Sequence, residues 1–294
     1  MIRPHISGKF SDMVLAVMRH PAMLMYLDNF ASIGPKSKAG LATGHGLNEN
    51  LARECMELHT ISPASGYTQA DVTSFARIIT GWTVDFGRPD PGFVFDPALH
   101  EPGAKTVLGR TFPRGRAGRH RGAGVLRRPP ACHQFLAFKL VRHFVADEPP
   151  PDAVAAIAGV LRDTHGDLGA ASQALVVLPA AWTKLTKLRS PMDYLAACAR
   201  AVEAPPLTTS IASEMLDGLG EPLWMPPLPN GWPDRAQDWA GPEALLRRAE
   251  LANKIAGRHP PIPTRWRSPM PAWGPICGPK RWMRSGLPAR GAQP

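Results

Sequence analysis

Proline sets the first limit on what this chain can become. It occurs 33 times in 294 residues, where average usage would give about 15. A proline inside a helix removes a hydrogen bond and clashes with the preceding turn. Helical patterns therefore come in short pieces. Phe10–His20 reads as a helix, and Pro21 breaks it before a second piece at Met23–Leu27. Leu47–Leu58 is amphipathic. Thr68 caps the next helix, with Asp71 as an aspartate version of the capping box, and that helix runs to about Thr80 before Gly81. Further helical patterns cover Gln134–Val145, Asp152–Asp163, Leu168–Leu178, Met192–Glu203, Thr208–Leu219 and Pro242–Ala256. Phe93–Phe95 and Thr106–Leu108 are β-type runs that point to one small hairpin. No βαβ alternation and no solenoid-length repeat is present. The expected fold is all-α: a single irregular multi-helix domain over residues 1–257, with a small β-hairpin insertion near 93–108. A disordered basic tail is expected over 258–294.

The formal charge of +10 is unevenly spread. Residues 110–128 hold seven arginines and no acid, and residues 258–294 hold seven basic residues and no acid. The remainder of the chain is mildly acidic. Clustered Arg could contact phosphate. Pro and Gly at this density also describe disordered linker and tail. A third reading is GC-rich DNA translated out of frame, which yields Arg, Pro, Gly and Ala. No specific nucleic-acid partner is expected. Cys55, Cys132, Cys198 and Cys277 are widely spaced with no C-x-x-C pair, which argues against a zinc knuckle or a disulfide scaffold. No run of about 18 apolar residues exists to span a membrane. The first residues lack the pattern of a signal peptide.

On a helical projection of Leu47–His59, Asn50, Arg53, Glu54 and Glu57 share one face. Leu47, Leu51, Cys55 and Leu58 form the adjacent apolar face, with Asn48 and His59 beside Cys55. Glu54 and Glu57, one turn apart, can be metal ligands or an acid/base pair. Amide oxygens of Asn48 or Asn50 would complete a hard-cation site. The competing reading is a solvated face with an Arg53–Glu57 ion pair worth about 0.3–0.5 kcal/mol. His59 is either a cap favoured by the helix dipole or a ligand. His100 and Glu101, between Pro97 and Pro102 and followed by Lys105, form either a loop site or a structural turn. They lack H-E-x-x-H spacing. Tyr67 and Trp82 read as core aromatics. Lys139, Arg142 and His143 lie on a helix expected to be buried through Phe135, Phe138, Leu140, Val141 and Phe144. An Asn230-Gly231 turn displays Trp232 for sugar stacking, partner docking or packing against the helical body. There is no G-x-S-x-G elbow, Walker loop or G-x-G-x-x-G.

Several stretches together resemble the bacterial family called domain of unknown function 1800. They are His20–Asn29, Gly46–Glu54, Glu57–Thr60, Gly66–Val72, Thr80–Thr83, His100–Gly103, Lys105–Gly109, Lys139–Phe144, Ser190–Tyr194 and Pro229–Pro233. The resemblance implies a largely helical fold with no assigned activity. It also implies export, since such proteins are often exported and encoded beside a sulfatase-like exported family. Work at the envelope or outside the cell follows, on polysaccharide, with that sulfatase-like protein as partner. Asn48, Glu49, Asn50, Glu54, Glu57, His59, His100 and Lys105 occupy the family's most recognisable polar positions. Family members run longer at the N-terminus, with an export signal and further helices. Family character also lapses between Gly109 and His133 and again after Arg258. The resemblance therefore implies a truncated, frame-damaged member.

The resulting expectation is one pocket built by the polar helix and the His100 loop, with hydrolase-like activity. Glu54, Glu57, His59 and His100 are its catalytic candidates. Glu54, His100 and Glu101 are candidates for a divalent metal, and Asn48, Asn50, Lys105 and Trp232 for ligand binding. The alternative is a non-catalytic binding or assembly module that recognises a partner protein or polysaccharide.

Overall fold

A computed structural model describes residues 1–87, 89–113, 130–183 and 186–257. The tail expected over 258–294 and the basic stretch 114–129 lie outside the described residues. The chain divides into two compact units, Met1–Leu185 and Thr186–Pro294. The described residues are mostly helical, with 13 α-helices and four short strands.

In the first unit, α1 (Phe10–Met18) and α2 (Pro21–Tyr26) are separated at Pro21, which opens α2. The ring of His20 caps α2 by accepting from Ala22 N at 3.2 Å. Then come α3 (Lys38–Thr43), α4 (Asn50–Glu54) and a π-helical segment, Cys55–Thr60, that continues α4 without a break. Helix α5 (Gln69–Ile79) begins with the expected capping box, in which Thr68 and Asp71 bond reciprocally. Its apolar face buries Val72, Phe75, Ala76, Ile78 and Ile79 against Leu51, Ala52, Cys55, Met56 and Trp82. Each fully buried large side chain of this kind contributes about 1.5–3 kcal/mol.

Two hairpins replace the single one expected. β1 (Trp82–Asp85) pairs antiparallel with β2 (Gly92–Phe95), and β3 (Lys105–Val107) pairs antiparallel with β4 (Arg110–Phe112). The runs at 93–95 and 105–107 thus have different partners. The β3–β4 turn is the pair Leu108-Gly109, both at positive φ (50° and 70°), as a two-residue hairpin demands. Leucine is unfavourable there, and Asp71 Oδ1 holds the turn by accepting from Leu108 N at 2.7 Å.

A second cluster in this unit joins α6 (Pro130–Phe144), α7 (Pro151–Asp163) and α8 (Leu168–Val177), followed by the short α9 (Ala180–Thr183). Ala137 and Val141 pack on Val154, Ile157, Leu161, Ala171 and Leu175. Helix α6 is less buried than its phenylalanines imply: Phe144 is 60% exposed, and Phe138 lies under the Arg142 guanidinium at 5.4 Å. The N-terminal segment straps this cluster to α1. Leu168 N donates to Gly8 O at 2.9 Å, Phe10 N donates to Gly166 O at 2.8 Å, and Lys9 Nζ reaches Thr164 O and Asp167.

The second unit packs α10 (Pro191–Ala201), α11 (Thr209–Leu219), α12 (Ala236–Trp239) and α13 (Pro242–Ala256). Leu195, Met215, Leu216, Leu219, Leu251 and Ile255 make its core. Buried Arg248 lies 5.1 Å over the Tyr194 ring and donates to Arg189 O, while Tyr194 returns a bond to Arg248 O. Among the described residues no helix is long and apolar enough to cross a membrane.

The loop before β3 is seated on the segment before α3. Gly34 N donates to Leu99 O, Ala39 N to Ala98 O, and Lys36 N to the Glu101 carboxylate at 2.8 Å. A Cβ on Gly34 would fall 2.5 Å from Glu101 N, a backbone atom with no room to yield. Gly34→Ala is therefore expected to cost about 1–3 kcal/mol, the usual range for overpacking. A urea-unfolding midpoint equal to wild type would contradict this close approach.

Candidate functional site

The polar groups of the first unit fall into two clusters, both hung from α5. The first begins at the start of α4. Asn48 Oδ1 accepts from Asn50 N at 2.8 Å, and Asn48 N donates to Ser32 Oγ at 3.0 Å. Asn48 is thus spent on capping and tethering, whereas Asn50 is exposed. Glu49 accepts from Thr73 Oγ1 at 2.6 Å and Gln69 Nε2 at 2.7 Å, both on α5, and from Arg53 at 3.3 Å. The expected Arg53–Glu57 pair does not form. Arg53 instead bonds Glu49 and, at 2.9 Å, Gln69 Oε1.

Past Glu54 the helix widens. Ile61 N reaches back to Met56 O at 3.1 Å, and Thr60 Oγ1 donates to Cys55 O at 2.6 Å. Such π segments recur at functional sites. Here the wider turn buries Cys55 and Met56 fully, with Cys55 Sγ 3.2 Å from Met18 Sδ. It also moves Glu57, Leu58 and His59 off the positions that a turn of about 3.6 residues would give them.

The resulting ledge carries Arg53, Glu54, Glu57 and Tyr67, all half-buried. Burial raises the proton affinity of the Glu54 carboxyl above its ordinary value; the Glu57 charge raises it further, and Arg53 partly offsets this. The Tyr67 phenol is raised by burial and by Glu57 and Glu54, with Arg53 opposing. His59, on the π segment, is pushed below the usual imidazole value by burial.

The second cluster surrounds Thr80, which is fully buried at the end of α5. Its hydroxyl donates to Arg77 O at 2.8 Å and accepts from Glu101 N at 2.9 Å. Its carbonyl lies 2.9 Å from His100 Nδ1. A carbonyl only accepts, so Nδ1 carries the proton and Nε2 presents its lone pair. Lys105 Nζ stands 3.4 Å from that lone pair and also donates to Glu101 O. Burial lowers the Lys105 ammonium below its usual value, with Glu101 opposing and Arg77 adding to the fall. Burial likewise lowers His100; the Thr80 carbonyl opposes, and Lys105 adds to the fall.

His100, Glu101 and Lys105 thus come together as expected, but as an inward-facing lock. The Glu101 carboxylate serves Lys36 N, and His100 Nε2 faces an ammonium. No hydrogen bond or ion pair among the described residues joins this lock to Glu54 or Glu57. Among the described residues no group of three or more His, Cys, Asp or Glu is placed to hold a metal ion. A cavity of about 360 Å³, lined by Ile61–Ser65 loop residues, Ala131, Phe135 and Phe138, borders the loop between the π segment and Tyr67; it holds none of the candidates.

Trp232 belongs to the second unit. It is half-buried against Trp239, with ring centroids 6.1 Å apart. The most exposed tryptophan among the described residues is Trp224, which sequence reasoning passed over. Its signal was the uncharged run Pro222–Pro233, where large apolar side chains alternate with prolines too dense to be packed. Glu49 was also missed as a site group, because its partners Gln69 and Thr73 lie on another helix.

Fold and ledge together define a mostly helical protein with a carboxylate-bearing face beside a π turn. The chain belongs to the family described as Protein of unknown function (DUF1800), whose model matches residues 1–289. No curated protein and no solved structure matches the chain.

Three imidazoles set an acid sensitivity. His59 and His100 are lowered by burial, and His133 by burial together with His165 and Arg162. Below their ordinary value of 6.5, the unfolded chain takes up protons that the folded chain refuses. Stability is expected to fall as pH drops through that value. The raised carboxyls of Glu54 and Glu221 act in the opposite sense nearer 4.5. Urea midpoints measured from about pH 8 to about pH 5 check this, and His100→Gln should flatten the decline. A midpoint that rises on acidification through 6.5 contradicts it.

Proposed function

We propose that the Glu54–Glu57–Tyr67 ledge is an acid/base site with hydrolase-like activity on a neutral polysaccharide outside the cell. One observation carries the reading. Burial plus the Glu57 charge raises the proton affinity of the Glu54 carboxyl above its ordinary value, while Arg53, whose charge opposes this, bonds Glu49 and Gln69. A carboxyl with raised proton affinity beside a second carboxyl is how one site can supply both an acid and a base. In this reading Glu54 protonates the leaving oxygen, and Glu57 activates water or attacks the sugar carbon, as paired carboxyl groups do in glycoside hydrolysis. The Tyr67 hydroxyl donates to the substrate. Three carboxyls against one guanidinium disfavour an anionic substrate. The resemblance to exported proteins favours an extracellular glycan, with a sulfatase-like protein acting alongside.

A second reading has its own observation. Trp224, Met225 and Leu228 are 92%, 70% and 60% exposed on the uncharged loop. Trp224 also sits at φ 62°, a strained place for a bulky residue. A non-catalytic module could use that tip to contact a partner protein or polysaccharide.

Reducing-end release from a panel of neutral polysaccharides separates the two. The acid/base reading expects turnover that falls about 10²–10⁴-fold in Glu54→Gln and in Glu57→Gln, with the circular dichroism spectrum retained and Trp224→Ser near wild type. Binding without turnover, lost in Trp224→Ser and kept in Glu54→Gln, overturns it in favour of the module.

A further inference from the structure

The arginine beside Glu54 bonds neither Glu54 nor Glu57 among the described contacts; its guanidinium goes to Glu49 and Gln69. A guanidinium at position 53 can reach a carboxylate four residues on or four residues back. The backward partner wins here. A glutamate N-terminal to its cation is the favoured orientation in a helix, and the forward partner, Glu57, lies in the π turn, off the α register. Helix α5 adds to the preference. Thr73 and Gln69 both donate to Glu49, and Gln69 also accepts from Arg53, closing a ring of three side chains. Glu49 is only 26% exposed in its side chain.

We propose, resting on the acid/base reading, that Glu49 is the positioning residue of this site: it engages the Arg53 guanidinium together with Gln69 and leaves Glu54 and Glu57 facing each other with no cation bonded between them. Freed from Glu49, Arg53 would turn to the next carboxylates on its own helix face. The Arg53 charge would then lower the proton affinity of Glu54, as it already does in part. The other titratable groups around α4 do not take over the part of Arg53. His59 is on the π segment, and Tyr67 precedes α5. Asp71 is committed to Thr68 and Leu108, and Arg77 acts on Lys105. Among the described residues, Glu57 and Arg53 are the groups whose charge acts on Glu54.

The test is a ¹³C NMR titration of the Glu54 carboxyl in the full chain, which needs no knowledge of the substrate. Wild type is expected to titrate above free glutamate. Glu49→Gln keeps the shape of the side chain and removes its charge, and the Glu54 midpoint is expected to fall as Arg53 swings over. The fall should vanish when Arg53→Gln is added to Glu49→Gln. Gln69→Ala loosens the same ring from the α5 side and should shift Glu54 in the same downward direction, which covers the case where Glu49→Gln folds poorly. A wild-type midpoint at or below that of free glutamate removes the acid/base reading itself. A raised wild-type midpoint that stays put or rises in the folded Glu49→Gln and Gln69→Ala proteins overturns the role of Glu49 alone.

Discussion

Burial of one face of α5 is the contact on which the first unit depends. Five of its side chains enter the core, and with that face fixed Gln69, Asp71 and Thr73 on the helix, and Thr80 at its end, each acquire an address. Gln69 and Thr73 are aimed at Glu49, Asp71 at the Leu108 turn, and Thr80 at His100 and Glu101. The hydrophobic term supplies the energy and is indifferent to direction. The hydrogen bonds add little net stability each, but they decide where chain segments far apart in sequence must lie.

The two polar clusters differ in what they leave available. Around Thr80 the donors and acceptors are matched: the imidazole is turned to a single tautomer by a carbonyl, its other nitrogen meets Lys105, and the Glu101 carboxylate is used by Lys36 N. Taking one member away strands the rest, which is the behaviour of a structural lock. The ledge at Glu54 and Glu57 is the reverse. Beside half-buried Glu54 and Glu57, the bonded ring consists of Arg53, Glu49 and Gln69.

Local signals in the sequence were legible where the chemistry is local. The Thr68–Asp71 capping box and the break at Pro21 both depend on residues within a turn of each other. Pairing over longer distances was not. Trp82–Asp85 is a strand because Phe93 and Phe95 lie across from it, and Thr80-Gly81-Trp82 alone reads as the end of a helix. The π turn follows from fitting Cys55 and Met56 into the core, which no spacing rule records. That turn is why Arg53 and Glu57 were expected to pair and do not. His100, Glu101 and Lys105 were identified as a group from their loop, but their inward direction is set by Thr80, and the partner was invisible from the motif.

The central claim is that Glu54 and Glu57 work as one unit. Turnover measured for Glu54→Gln, Glu57→Gln and the double variant on one neutral polysaccharide addresses it directly, because residues serving a single chemical step are strongly non-additive. The account predicts that the double variant loses about as much rate as the worse single variant. Losses that multiply, each substitution acting as though the other were absent, contradict it.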